Sequence, residues 1–290
     1  MSDPRPIGVF DSGVGGLTVL SEIFRRSPHE STIYLGDNAR APYGVRSDAE
    51  VRAFSTEALD ALVERDVKAI VVACNTSTAV ALGDFRRRYD LPILGVVRPG
   101  AVTAALTTRN RRVGVIATPA TVRSHAYFSA IKDENPAVEV YEHATPAFVP
   151  LVEAGKLSGP EVEAAVADGL APLLGQRDLR GEFVFPLPGS ARIDTLLLGC
   201  THYPLIRSVI AAVAGEGVAI VDSATATASA LSELLAINAL EAPDPVGESS
   251  VVSHVQLTTG DVDAFRAVAR RLFGDTFVDV EAVELEAVAS

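Results

Sequence analysis

At 290 residues the chain is long enough for one large domain or two of ordinary size. It is 48% hydrophobic but only 6% aromatic and lacks tryptophan, so an aliphatic core is expected, which suits buried parallel strands. A formal net charge of −12 argues against nucleic acid or an anionic membrane as the main partner, because both need a basic surface.

The opening Met1-Ser2-Asp3-Pro4-Arg5-Pro6 lacks the basic and apolar regions of a signal peptide, and no apolar run is long enough to span a bilayer. The expectation is a cytoplasmic protein with its two cysteines, Cys74 and Cys200, as free thiols. Two cysteines with one nearby histidine fall short of the four ligands of a closed zinc site, so no metal is expected.

In chain order, Ile7 to Phe10 reads as a strand, Asp11-Ser12-Gly13-Val14-Gly15-Gly16 as a loop, and a helix starts near Leu17. Thr32 to Leu35 is a second strand and Ala41-Pro42-Tyr43-Gly44 has turn chemistry. Ser47-Asp48-Ala49-Glu50 fits a capping box opening a helix to about Arg65. Ala69 to Ala73 is a third strand, a helix follows Cys74-Asn75-Thr76, and Ile93 to Val97 is a fourth strand. Arg98-Pro99-Gly100 reads as a crossover to a second unit. Beyond Cys200 the expectation is a helix, a strand at Val218 to Val221, an alanine-rich helix to about Leu240, a loop at 241–248, a strand at Val251 to Leu257 and a helix at Asp261 to Phe273. The tail from Val280 is uninformative. Alternating strands and helices with short connections predict α/β architecture with mostly parallel sheets.

The two halves echo each other. Val113 to Thr118 repeats Ile7 to Ser12, and Leu196-Leu197-Leu198-Gly199-Cys200-Thr201 repeats Ile70-Val71-Val72-Ala73-Cys74-Asn75. The interval is 63 residues from Asp11 to Cys74 and 83 from Ala117 to Cys200. The extra length falls near residues 175–191, where Gly181 to Pro186 reads as an inserted strand or loop.

Ligands of parallel α/β sheets bind beyond the carboxyl ends of the strands. Asp11, Ser12, Asp37, Cys74, Thr118 and Cys200 all stand there. A free cysteine is most often a small buried apolar residue. Two of them in matching Cys-polar-polar settings favour chemistry instead. Thiols on opposite faces of a substrate suit inversion at carbon: one removes a proton and the other delivers one, with a reference pKa of ~8.5 that makes both forms reachable. Asp11 and His202 are candidates to support them. The glycine loop at 11–16 fits neither dinucleotide nor P-loop patterns, so a small anionic substrate is preferred over a nucleotide. Asn75, Thr76, Thr118, Thr121 and Thr201 are hydrogen-bonding candidates that read equally well as helix caps, and Tyr43 is a candidate rim aromatic. Pyridoxal phosphate needs a Schiff-base lysine. Lys68 lies at the wrong end of its strand, and Lys132 and Lys156 lack a cofactor motif, so the expected chemistry uses no cofactor.

Asp11-Ser12-Gly13-Val14-Gly15-Gly16-Leu17, Asp37-Asn38 with Pro42-Tyr43-Gly44, Ala73-Cys74-Asn75-Thr76, Thr118-Pro119-Ala120-Thr121 and Leu198-Gly199-Cys200-Thr201-His202-Tyr203-Pro204 together resemble the glutamate racemase family. The resemblance implies cofactor-independent interconversion of L- and D-glutamate, supplying D-glutamate for peptidoglycan. It implies two pseudo-symmetric α/β domains, residues 1–98 plus 209–290 and residues 99–208, with the active site in the cleft between them. It further implies that Cys74, assisted by Asp11, deprotonates D-glutamate and that Cys200, assisted by His202, deprotonates L-glutamate. Ser12, Tyr43, Gly44, Asn75, Thr76, Thr118, Thr121 and Thr201 would hold the substrate, and a homodimer is expected. Aspartate racemisation is the alternative within the superfamily, and a non-catalytic role for the acidic surface is the alternative outside it.

Overall fold

The computed structural model describes residues 2–174, 192–243 and 252–286, with the backbone of two short strands between 176 and 184. Two sheets organise the chain. The first contains β1 (Ile7–Asp11), β2 (Thr32–Gly36), β3 (Ala69–Val72) and β4 (Ile93–Gly95). The second contains β5 (Arg112–Ala117), β6 (Glu139–Ala144), β9 (Thr195–Gly199) and β10 (Ala219–Asp222). Between β6 and β9 the chain inserts a small antiparallel ribbon, β7 (Gln176–Arg177) and β8 (Phe183–Val184). Phe183–Val184 falls within the expected inserted strand; the rest of that stretch lies outside the described residues.

The spatial order is β2-β1-β3-β4 in the first sheet and β6-β5-β9-β10 in the second, with every pairing parallel. Each half therefore has the same strand sequence folded in the same order, which is the structural content of the short sequence repeat. The first sheet is extended at one edge by β11 (His254–Thr258) and β12 (Val280–Ala282). β12 lies in the tail that carries no sequence signal.

The central strands β1, β3, β5 and β9 are largely apolar because helices cover both faces of each sheet. In β3, Val71 faces a cluster with Leu17, Leu20, Leu231 and Phe265, whereas Ile70 and Val72 face Leu59, Leu62 and Phe85. The helices behind those faces are α1 (Leu17–Arg26), α10 (Ser223–Ile237) and α11 (Val262–Phe273) on one side, and α2 (Asp48–Val63) and α3 (Asn75–Arg88) on the other. In the second sheet Leu196 and Leu198 face α7 (Phe148–Glu153), α8 (Pro160–Leu174) and α9 (Arg207–Ala214). Leu197 faces the opposite way, toward α4 (Val97–Thr107) and α6 (Ala126–Glu134). A short α5 (Pro119–Ser124) follows β5. The capping box at Ser47 and Glu50 is present as expected.

Arg98-Pro99-Gly100 is the first turn of α4, the helix that carries the chain from β4 of the first sheet to β5 of the second, so the expected crossover is helical. Proline fits there because first-turn N–H groups have no intrahelical acceptor to lose. One expectation is corrected: residue 209 is not where the chain returns to the first sheet, because β10 pairs with β9 and the return comes after Asp222 through α10 and β11.

Candidate active site

Parallel pairing carries the strand ends to common edges. Phe10 is in register with Val72, and Ala117 with Gly199. The residues that follow, Asp11 and Cys74 on one sheet and Thr118 and Cys200 on the other, emerge together.

Cys74 is the N-cap of α3, where its Sγ accepts a hydrogen bond from the Ser77 N–H at 3.4 Å. Its own S–H points to Ser12 Oγ at 3.6 Å. Burial pushes this thiol up to about 11, and the Asp11 charge adds to the rise; the Ser77 and Ser12 contacts offset part of it. Asp11 is fully buried and makes no hydrogen bond to Cys74 among the described residues. Its carboxylate accepts from the Gly13 N–H at 3.0 Å and from Thr201 Oγ1 at 3.4 Å. Burial holds its pKa above the ordinary carboxylate range, countered in part by His202 and by the Gly16 and Gly13 N–H groups. Two N–H groups of the glycine loop, those of Gly13 and Gly16, thus serve the protein's own carboxylate.

The second half does not copy this device. No α-helix begins at Cys200; a turn and a 3-10 helix at Tyr203–Ile206 lead into α9 at Arg207. Histidine takes the place of the helix terminus. Cys200 Sγ lies 3.8 Å from His202 Nδ1, and His202 Nε2 lies 3.1 Å from Glu153 Oε1. Burial opposes protonation of His202, but the hydrogen bonds and charges of Cys200 and Glu153 outweigh it and carry the pKa up to about 10. These contacts favour the imidazolium form of His202, in which both ring nitrogens can donate.

Close approach explains the glycines. A Cβ on Gly15 would stand 2.5 Å from Thr201 Oγ1 and 2.6 Å from His202 Nδ1, and one on Gly44 would stand 2.6 Å from the Thr118 Cβ. Both positions press a loop of the first half against a residue of the second.

Ser12, Tyr43, Gly44, Cys74, Asn75, Thr76, Thr118, Cys200, Thr201 and His202 line one narrow cavity of about 20 Å³, with Ala41, Pro42, Val149 and Glu153. Asp11 and Thr121 stand one layer back. Thr121 completes a triangle of hydroxyls, 3.3 Å from Thr76 and 3.0 Å from Thr118, whose own separation is 3.0 Å. Tyr43 is buried rather than at a rim, and its hydroxyl donates to Asp37. Sequence reading missed Glu153. Its one local signal is an acidic residue closing α7, where the helix dipole disfavours negative charge. No group of three His, Cys, Asp or Glu among the described residues is arranged to hold a metal. A larger groove of about 770 Å³, which includes Arg86, Arg98 and Arg207, opens beside α4 and α10 but reaches neither cysteine.

Comparison with known proteins decides the family. The Asp/Glu/Hydantoin racemase family model matches residues 7–231. A glutamate racemase of Beutenbergia cavernae is 46% identical, over 98% of this chain and 95% of its own. The chain belongs to the glutamate racemase family. Among solved structures, a glutamate racemase isoform of Bacillus anthracis superposes with a TM-score of 0.86 at 38% identity, covering 97% of this chain and 98% of that one. A Francisella tularensis glutamate racemase in complex with D-glutamate gives 0.84 at 33% identity, covering 98% and 99%. The two-sheet architecture is thus that of solved glutamate racemases, and the activity class is that of an amino-acid racemase, an isomerase.

Proposed function

We propose that the protein interconverts L- and D-glutamate by a two-thiol proton transfer that uses no pyridoxal phosphate. The observation that carries this reading is that Cys74 and Cys200, from the ends of strands in different sheets, line the same cavity. Thiols facing one carbon from two sides can exchange its hydrogen with inversion, which a single thiol fixed on one face of a fixed intermediate cannot.

In the L-to-D direction, Cys200 has passed its proton to His202 and takes the Cα proton as its own S–H. The electron pair left on Cα is delocalised into the α-carboxylate. Cys74 then gives its S–H proton to the opposite face and is left as thiolate. The reverse direction starts from that thiolate. Burial and the Asp11 charge oppose that thiolate, and the substrate ammonium nearby favours it. Glu153 keeps His202 charged and oriented, and Asp11 and Thr201 fix the wall between the two thiols. Ser12, Tyr43, Gly44, Asn75, Thr76, Thr118 and Thr121 hold or position the two carboxylates.

A volume of about 20 Å³ takes roughly one water. Glutamate therefore enters only when the loops of the two sheets part, and closure around it excludes solvent from the carbanion. In the same reading the D-glutamate serves peptidoglycan synthesis in the cytoplasm and the enzyme works as a homodimer, which light scattering checks. The direct test of substrate is polarimetry of purified protein without added cofactor. Loss of optical rotation from glutamate at a much higher rate than from aspartate supports the reading, and the opposite preference defeats it.

A further inference from the structure

Tyr127 lies on α6, in the half built on the second sheet, and is fully buried. Its hydroxyl donates to Asn75 Oδ1 at the start of α3, in the first half, and is 2.9 Å from Ser223 Oγ at the start of α10. Asn75 Oδ1 can only accept, so the single tyrosine proton goes to it and Ser223 must donate to the tyrosine oxygen. This one hydroxyl joins three elements. Two glycines make room for it: a Cβ on Gly199 would meet the Tyr127 ring at 2.9 Å, and one on Gly100 would meet Ser223 Oγ at 2.5 Å. Asn75 lines the cavity, whereas Tyr127 and Ser223 do not.

A carboxamide offers an acceptor on one side and two donors on the other. With Oδ1 turned to Tyr127, the NH2 group remains for the cavity, and it has no other partner within the described residues. We propose that Tyr127 is a positioning residue: held by Ser223, it locks the Asn75 carboxamide with its NH2 toward the substrate, so that Asn75 acts only as a donor to a substrate carboxylate. Without this lock the amide turns over and presents its oxygen to an anion, which repels it. Burial raises the tyrosine pKa, which keeps the hydroxyl a donor across the working pH range.

The proposal rests on glutamate, or another anionic amino acid, being the substrate. Its test is a cycle of Tyr127→Phe, Asn75→Ala and the double variant, with Ser223→Ala as a milder single change. The readouts are kcat and KM for both enantiomers and the Asn75 side-chain NH2 resonances of the ligand-free protein. Tyr127→Phe keeps the ring in its slot and is expected to raise KM about tenfold with a smaller change in kcat, the mark of lost ground-state binding. Ser223→Ala moves KM the same way by less. In the Asn75→Ala background, Tyr127→Phe should add nothing. The NH2 resonances should shift and broaden in Tyr127→Phe. An unchanged KM, additive effects in the cycle, or unmoved NH2 resonances would each overturn the proposal. If wild type turns over no glutamate, the substrate reading fails instead, and the NH2 resonances still decide whether Tyr127 holds the amide.

Discussion

His202 Nδ1 lies 3.8 Å from the Cys200 sulfur, two residues away along a turn that contains no α-helix. The first half meets the same chemical need differently, with Cys74 at the N-terminus of α3 and no histidine beside it. Two folded repeats thus support their thiols by unlike means, a helix N-terminus on one side and a histidine on the other.

This asymmetry has a kinetic signature. The two enantiomers are equally stable in water, so any variant must lower kcat/KM equally in both directions. What differs is which proton transfer limits the rate. Removing the imidazolium in His202→Asn should slow the Cys200 step, so the primary isotope effect with Cα-deuterated L-glutamate should rise while that with D-glutamate falls. Competitive isotope measurements check this.

Glu153→Gln removes one of the two groups that keep His202 charged. Any high-pH limb of kcat/KM that His202 contributes should move to lower pH, with a rate loss of about 10- to 100-fold. A pH–rate profile of the variant beside wild type is the check. A uniform loss with the limb unmoved would leave Glu153 a packing role only.

The same histidine makes stability depend on pH. Its folded pKa of about 10 lies above the ordinary 6.5, so its contribution is complete below about pH 6.5 and fades as pH rises through 10. The stability difference between wild type and His202→Gln, measured by urea unfolding, should therefore be largest near pH 6 and shrink by a few kcal/mol toward pH 10.

How much of this was legible in the sequence depends on the range of the signal. Cys74, Cys200, Thr118 and Asp11 were readable because each ends an apolar run, and in a parallel sheet the end of a run is a place in space. The glycines of the 11–16 loop were readable as special but not for their reason, since Thr201 and His202, which crowd Gly15, are far away in the chain. Glu153 and Tyr127 were not readable. Each sits on a helix and reads locally as surface charge or core aromatic; Glu153 acts on His202 of its own half, distant in the chain, and Tyr127 on Asn75 of the other half. The return of the chain after β10 was misplaced because a short apolar strand carries no mark of which sheet it will join.

Lys68 shows the opposite end of the strands. Its buried ammonium is 2.6 Å from Glu30 Oε2 and donates to the Asp3 carbonyl at 2.8 Å. Lys68→Met leaves Glu30 as an uncompensated buried charge and should cost about 3–5 kcal/mol in urea unfolding, with kcat unchanged in the protein that remains folded. A large fall in kcat would place Lys68 in the chemistry.

The central claim, that two thiols act on opposite faces of one carbon, is tested most directly by deuterium incorporation at Cα of L- and D-glutamate in heavy water without added cofactor. Wild type would be run beside Cys74→Ala and Cys200→Ala. The account predicts that wild type yields inverted product carrying solvent deuterium, and that neither variant racemises. Racemisation that survives in either variant, or inverted product that keeps its original hydrogen, would contradict it.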